Sequence, residues 1–201
     1  GKLSEVSAAQ VGYVLPEVMA DLTAAQAASL TATQWSGITG AQLSVMVDAG
    51  KPSDVSEAQV AALAPSALAG LSAAQLAQAF VDAAWASITD AQFAAIVDAG
   101  TWTDLNATQI GKLSPSALSS LSATQAASLG NDVWLSLSVA QFGAMVEVGN
   151  LSNMSSAQMA VIAPSTLAGL SAAQVALLPS TQWSSLDAAQ LSAMVDAGNL
   201  S

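Results

Sequence analysis

The 201-residue chain contains no cysteine, no histidine and no arginine. The missing Cys removes any disulfide framework and any thiolate metal site. Without Cys and His there is no nucleophile–imidazole pair, and the commonest general acid–base side chain is absent. A zinc site would need carboxylate ligands alone, which is unusual. No phosphate loop of the Gly-x-x-x-x-Gly-Lys-Ser/Thr form is present. Neither a catalytic residue nor a cofactor is therefore expected, and the chain reads as no enzyme.

Positive charge is scarce as well. The only cations are Lys2, Lys51 and Lys112, against fourteen Asp and Glu, for a net charge of −11. A nucleic-acid surface needs clustered Lys and Arg to neutralise phosphates, so nucleic acid is excluded as a partner. Docking on anionic lipid is disfavoured for the same reason. One long uncharged run, Val148 to Leu186, invites a membrane reading. Gln158, Pro164, Gln174, Pro179 and Gln182 interrupt it, and a spanning helix needs roughly 20 predominantly apolar residues, so membrane insertion is not expected. Gly1-Lys2-Leu3 is not followed by the compact apolar core of a secretory leader.

What the chain does contain is repetition. Pro16, Pro65, Pro115 and Pro164 are spaced by 49 or 50 residues, as are Trp35, Trp85, Trp134 and Trp183. Gly1, Gly50, Gly100, Gly149 and Gly198 keep the same beat. Within each unit of about 49 residues the pattern is 8 + 8 + 17 + 8 + 8, the octads reading like Leu71-Ser72-Ala73-Ala74-Gln75. Units fall at approximately 22–70, 71–120 and 121–169, with partial units at 1–21 and 170–201. Together they make a single array, read as a piece of a longer one.

The octad is a helix-start instruction. Ser72 can accept from the amide of Gln75 while the Gln75 side chain reaches back to the amide of Ser72, a capping box. Gln occupies this position fourteen times, and three residues earlier stands Ser or Thr in eleven cases, Asn106 and Asp187 in two, and Pro179 in the last. Each Pro of the 49-residue series stands at the first helical residue, where its missing amide costs nothing. The longest helix per unit should start near Thr39 and end at Asp48-Ala49-Gly50, with Gly50 left-handed and Lys51 to Asp54 a turn; Gly100 and Gly149 repeat this. Helices so short are unstable alone, so each must pack on its neighbours. Strand-like alternation is absent. The expectation is an all-α solenoid or superhelix, right- or left-handed, with neither end departing from the grammar.

The tandem octads resemble the Ala, Ser, Thr and Gln-rich repeats of large bacterial secreted or cell-surface exoproteins, most clearly at Leu22 to Gln26, Leu71 to Gln75, Leu121 to Gln125 and Leu170 to Gln174. The resemblance covers essentially the whole chain. It implies a secreted or surface location and an adhesin-like or spacer role, and supplies no binding residues.

Few residues invite chemistry. Asp48 and Asp54, and again Asp98 and Asp104, flank a Gly turn, and oxygen ligands about a turn suit calcium. The third copy offers Glu147 and Asn153 instead, no copy has the dense spacing of a calcium loop, and turn chemistry accounts for Asp54 without a metal. Trp35, Trp85, Trp134 and Trp183 share an octad position that is elsewhere Leu, Val, Ile or Phe, which assigns them to the core rather than to an aromatic ladder. Trp102 replaces Pro52 in the turn after Gly100, which suggests exposure and makes it the candidate contact residue. Asn106, Asn153 and Asn199 match the glycosylation pattern, as chance allows in a chain so rich in Ser and Thr. Three functions fit: a structural or spacer module; a scaffold binding a peptide, glycan or partner protein; and a component that associates with itself end to end into filaments or layers. Function should be sought where the repeat breaks: the Gly-Lys-Pro and Gly-Thr-Trp turns, the extra residue near Gln78, and the two ends.

Overall fold

Each Ser/Thr-x-x-Gln signal becomes a helix start in the computed structural model, which describes residues 5–200. The matching Gly1-Lys2-Leu3-Ser4 tetrapeptide lies outside the described residues. All thirteen Gln with a capping residue three positions before them form the reciprocal box. At the reference octad, Gln75 N donates to Ser72 Oγ at 3.2 Å and Ser72 N donates to Gln75 Oε1 at 3.0 Å. Such a cap stabilises a helix by about 1 kcal/mol. Pro16, Pro65, Pro115 and Pro164 each begin a five-residue helix. The protein is all-helical, with no strand among the described residues and no helix longer than nine residues.

The nine-residue helices are Gly40–Asp48, Asp90–Asp98, Val139–Glu147 and Ala188–Asp196. Each is closed by a left-handed Gly: Gly50, Gly100, Gly149 and Gly198 have φ of 67°, 71°, 77° and 75°. Only Gly adopts this conformation without a steric penalty. Lys51 to Asp54 is a 3-10 helix rather than a plain turn, and so is Trp102–Asp104.

Backbone contacts gather the chain into two compact units, residues 1–113 and 114–201. In the first, Pro16–Ala20, Gly40–Asp48, Pro65–Ala69 and Asp90–Asp98 pack one on the next. Their starts lie 24 or 25 residues apart. Ala32–Trp35, Glu57–Ala62, the 3-10 helix Asp82–Ser87 and Ala107–Lys112 form a second series in the same unit. In the second unit the series is Pro115–Ser119, Val139–Glu147, Pro164–Ala168 and Ala188–Asp196. The spacing between packed partners is therefore half the 49-residue sequence unit. The 17-residue segment accounts for this, because it folds into two elements and with one octad makes a set of three, matched by the three octads that follow.

The core is built from the bulky octad positions. Trp35, Trp85 and Trp134 are buried, and Trp183 is half-buried. Trp102, expected at the surface, is also buried. It takes the place of Pro52 and Leu151, which are likewise buried, so this position, two residues after the left-handed Gly, points inward whatever residue fills it. Backbones approach closely at Gly37, where an added Cβ would collide with Ala8 O, and at Gly70, where it would stand 3.0 Å from the Gly40 Cα.

Candidate functional site

The dominant polar feature of the structure is the second half of most of the buried capping Gln. Oε1 closes the box, and Nε2 donates across to main-chain carbonyls about 30 residues earlier. Gln42 Nε2 donates to Val11 O at 2.8 Å and Val14 O at 2.7 Å. Gln92 Nε2 donates to Val60 O at 2.9 Å and Leu63 O at 2.8 Å. Gln158 reaches Ala127 O and Leu129 O at 2.7 and 2.9 Å, and Gln190 reaches Met159 O and Ile162 O at 3.1 and 2.8 Å. Gln59 does the same with Ala28 O and Leu30 O. The accepting carbonyls lie in or just past the last turns of the helices beneath, where intrahelical donors run out. Val11 O, Val60 O and Met159 O also accept from the amide three residues on, while among the described residues no backbone amide donates to Val14 O, Leu63 O or Ile162 O.

The helix ends of one layer are thus satisfied by the helix starts of the next. The sequence carries a signal for this. A capping box accepts Glu as well as Gln, yet all fourteen box positions hold Gln in a strongly acidic chain. Only the amide can cap and donate at once.

One of the calcium candidates, Asp48, takes part in the same scheme. Asp48 Oδ1 accepts from Gln75 Nε2 at 2.8 Å, and Ser44 Oγ lies 2.8 Å from the same nitrogen. Glu147 accepts from Gln174 Nε2 at 2.8 Å in the second unit. Asp54, Asp98 and Asp104 are exposed, Asp104 with Thr103 Oγ1 at 3.4 Å. No group of three or more carboxylates able to hold a metal ion occurs among the described residues. Asn106, one of the glycosylation matches, caps its helix through Oδ1 at 3.0 Å from Gln109 N. Asn153 Nδ2 donates to Thr124 Oγ1 at 3.3 Å, and Asn199 Nδ2 to Ala168 O at 2.9 Å.

The exceptions to the grammar have physical consequences. Pro179 lacks the amide that every other box supplies, and Gln182 Oε1 is left buried without a partner while its Nε2 still reaches Met154 O at 2.7 Å. Trp35 Nε1 donates to Ala27 O at 3.2 Å, whereas Trp85 and Trp134 Nε1 have no partner. The extra residue after Gln78 turns the next octad into a 3-10 helix and brings Phe80 edge-on to Trp85, with ring centroids 6.4 Å apart.

A groove of about 150 Å³ opens where two of these irregularities meet, lined by Val47, Pro52, Ser53, Gln78, Phe80 and Val81. Ligand sites typically enclose ~300–1,000 Å³, so the groove holds no more than a few atoms. Gln78 Nε2 is already bonded to Ala74 O at 2.9 Å. Trp102, the sequence-based contact candidate, is buried and offers no free ring face. No helix is long and apolar enough to cross a membrane among the described residues. No protein-family model, curated protein or solved structure matches the chain.

Proposed function

We propose that this chain is a non-catalytic structural or spacer module: an open all-α solenoid in which each 49-residue unit contributes two layers of three short helical elements. The resemblance of its octads to bacterial exoprotein repeats favours a secreted or cell-surface setting. The observation that carries the reading is the use made of polar side chains. Gln, Ser, Thr and Asn, the groups from which a ligand site would be built, are bonded into caps and cross-layer bridges, while the Trp residues fill the core. A chain organised this way spends its specificity on its own register. Stability is then close to a sum of layer and interface contributions, which suits a part whose task is length.

Small-angle scattering tests this directly. Inserting further copies of residues 22–70 should lengthen the maximum dimension by a constant step per copy and leave the cross-section unchanged. A particle that thickens or stays compact as copies are added would refute the reading.

A further inference from the structure

In the first unit Pro65–Ala69 packs on Gly40–Asp48 and Glu57–Ala62 packs on Ala32–Trp35. In the second, Pro164–Ala168 packs on Val139–Glu147 and Ser156–Ala160 packs on Asn131–Ser136. Each pair joins the forward face of one layer to the backward face of the next. The last nine-residue helix, Ala188–Asp196, has no such cover. Val195 is 60% exposed, whereas Val47, Val97 and Val146 at the same position are at most 9% exposed. Leu191 is 37% exposed, where Leu43, Phe93 and Phe142 are fully buried.

The first layer shows the opposite face. Val18 is 50% exposed, while Ala67, Ala117 and Thr166 at its position are at most 6% exposed. Beside it lies an apolar hollow of about 130 Å³ among Val6, Val11, Val14, Met19 and Leu22.

Hydrogen-bonding groups are left over in the same register. Gln10 and Gln26 close their boxes through Oε1, yet among the described residues their Nε2 atoms donate to nothing. Their counterparts one unit on, Gln59 and Gln75, donate to Ala28 and Leu30 carbonyls and to Ser44 and Asp48. Ser192 and Asp196 are the counterparts of Ser44 and Asp48, and both are exposed.

From the module reading above, on which this step rests, we infer that the chain binds a second copy of itself head to tail. Pro16–Ala20 of one copy seats on Ala188–Asp196 of the other, and Ala8–Gly12 seats on Ser180–Trp183. Gln26 Nε2 then donates to the Asp196 carboxylate and the Ser192 hydroxyl, as Gln75 does to Asp48 and Ser44 within the chain. The two faces differ, so the interface is heterologous and extends into filaments or closes into rings.

Charge restrains it. Asp21 stands where Gly70 and Gly169 stand in later layers, and at the junction it faces Ala188 beside Asp187. This like-charge contact makes association weak at low salt and stronger when salt screens it.

Sedimentation velocity on the intact chain tests the junction. Its mass should rise past the dimer with concentration, further at high salt, and Asp21→Gly should shift the rise to a several-fold lower concentration. Val18→Lys and Val195→Lys alter exposed side chains at opposite faces. Each alone should remain a monomer, and their mixture should give dimers that grow no further. Wild type and Asp21→Gly both staying monomeric at every concentration would overturn the inference, as would either Lys variant associating alone. If those monomers still lengthen stepwise in scattering when units are added, the module reading stands while the junction falls.

Discussion

The Gln92 side-chain amide donates to the Leu63 carbonyl at 2.8 Å across 29 residues of sequence, while its own oxygen accepts from Thr89 N at 2.8 Å. One side chain starts a helix and ends another. Gln92→Leu should therefore cost about 2–4 kcal/mol, a cap plus the buried Leu63 carbonyl left unpaired; Val60 O keeps the Leu63 amide. Gln26→Leu, which loses only a cap, should cost about 1 kcal/mol. Urea unfolding of the two variants compares them.

Gln92→Glu separates the two roles. Its carboxylate still caps but faces carbonyls across the layer, and burial among acceptors disfavours the charged form, raising the folded pKa. Relative stability should be greatest below the ordinary glutamate range and fall as pH rises through the raised folded pKa. Thermal melts from acid to neutral pH check this; a stability difference from wild type that does not vary with pH would contradict it.

Pro179→Ser should stabilise the protein. It returns an amide to the buried Gln182 Oε1 and adds a hydroxyl cap to Ser180–Trp183. A gain of about 1–2 kcal/mol is expected from a new cap and a satisfied acceptor. The melting temperature reads the result directly.

The Trp series should respond unevenly to Phe. Trp35→Phe leaves the Ala27 carbonyl without the indole donor, whereas Trp85→Phe and Trp134→Phe remove buried N–H groups that had no partner. Trp35→Phe is expected to be the most destabilising of the three, by about 1 kcal/mol over the others. Trp102→Ala should cost about 3–5 kcal/mol, as for a core aromatic. A Trp102→Ala variant with an unchanged melting temperature would place that side chain outside the core.

The turn glycines and the packing glycines should also differ. Nothing lies within 4 Å of a Cβ placed on Gly50, Gly100 or Gly149, so Gly50→Ala should cost about 1 kcal/mol through its left-handed backbone alone. Gly70→Ala must push two layers apart and should cost about 1–3 kcal/mol. Equal losses in calorimetry would show that layer contact does not depend on Gly70.

Helix starts, Pro placement and the left-handed Gly series were legible because each depends on residues within one turn. The cross-layer bridges were not, although Gln at every box position hinted at them. Their acceptors are set by which element lies above which, and the 49-residue repeat suggested a spacing twice the true one. Trp102 misled for a related reason. Its neighbours in sequence are turn residues, but its inward direction is set by its place two residues after a left-handed Gly, which it shares with Pro52 and Leu151. The acceptor role of Asp48 is of the same kind, since its partner Gln75 lies 27 residues away and no local pattern announces it.

The alternation of five-residue and nine-residue helices at 24 or 25 residues has a consequence for how such a chain can change size. A Pro-led helix is built to meet a Gly-closed one, and the two kinds pack on each other within both units. Deleting a single layer would bring two helices of the same kind together, mispairing Gln donors with carbonyls already satisfied. Deleting two restores every mate. Recombination within such a gene would therefore yield folded products only in even steps, making length a quantised trait that can drift by whole pairs of layers and by nothing smaller.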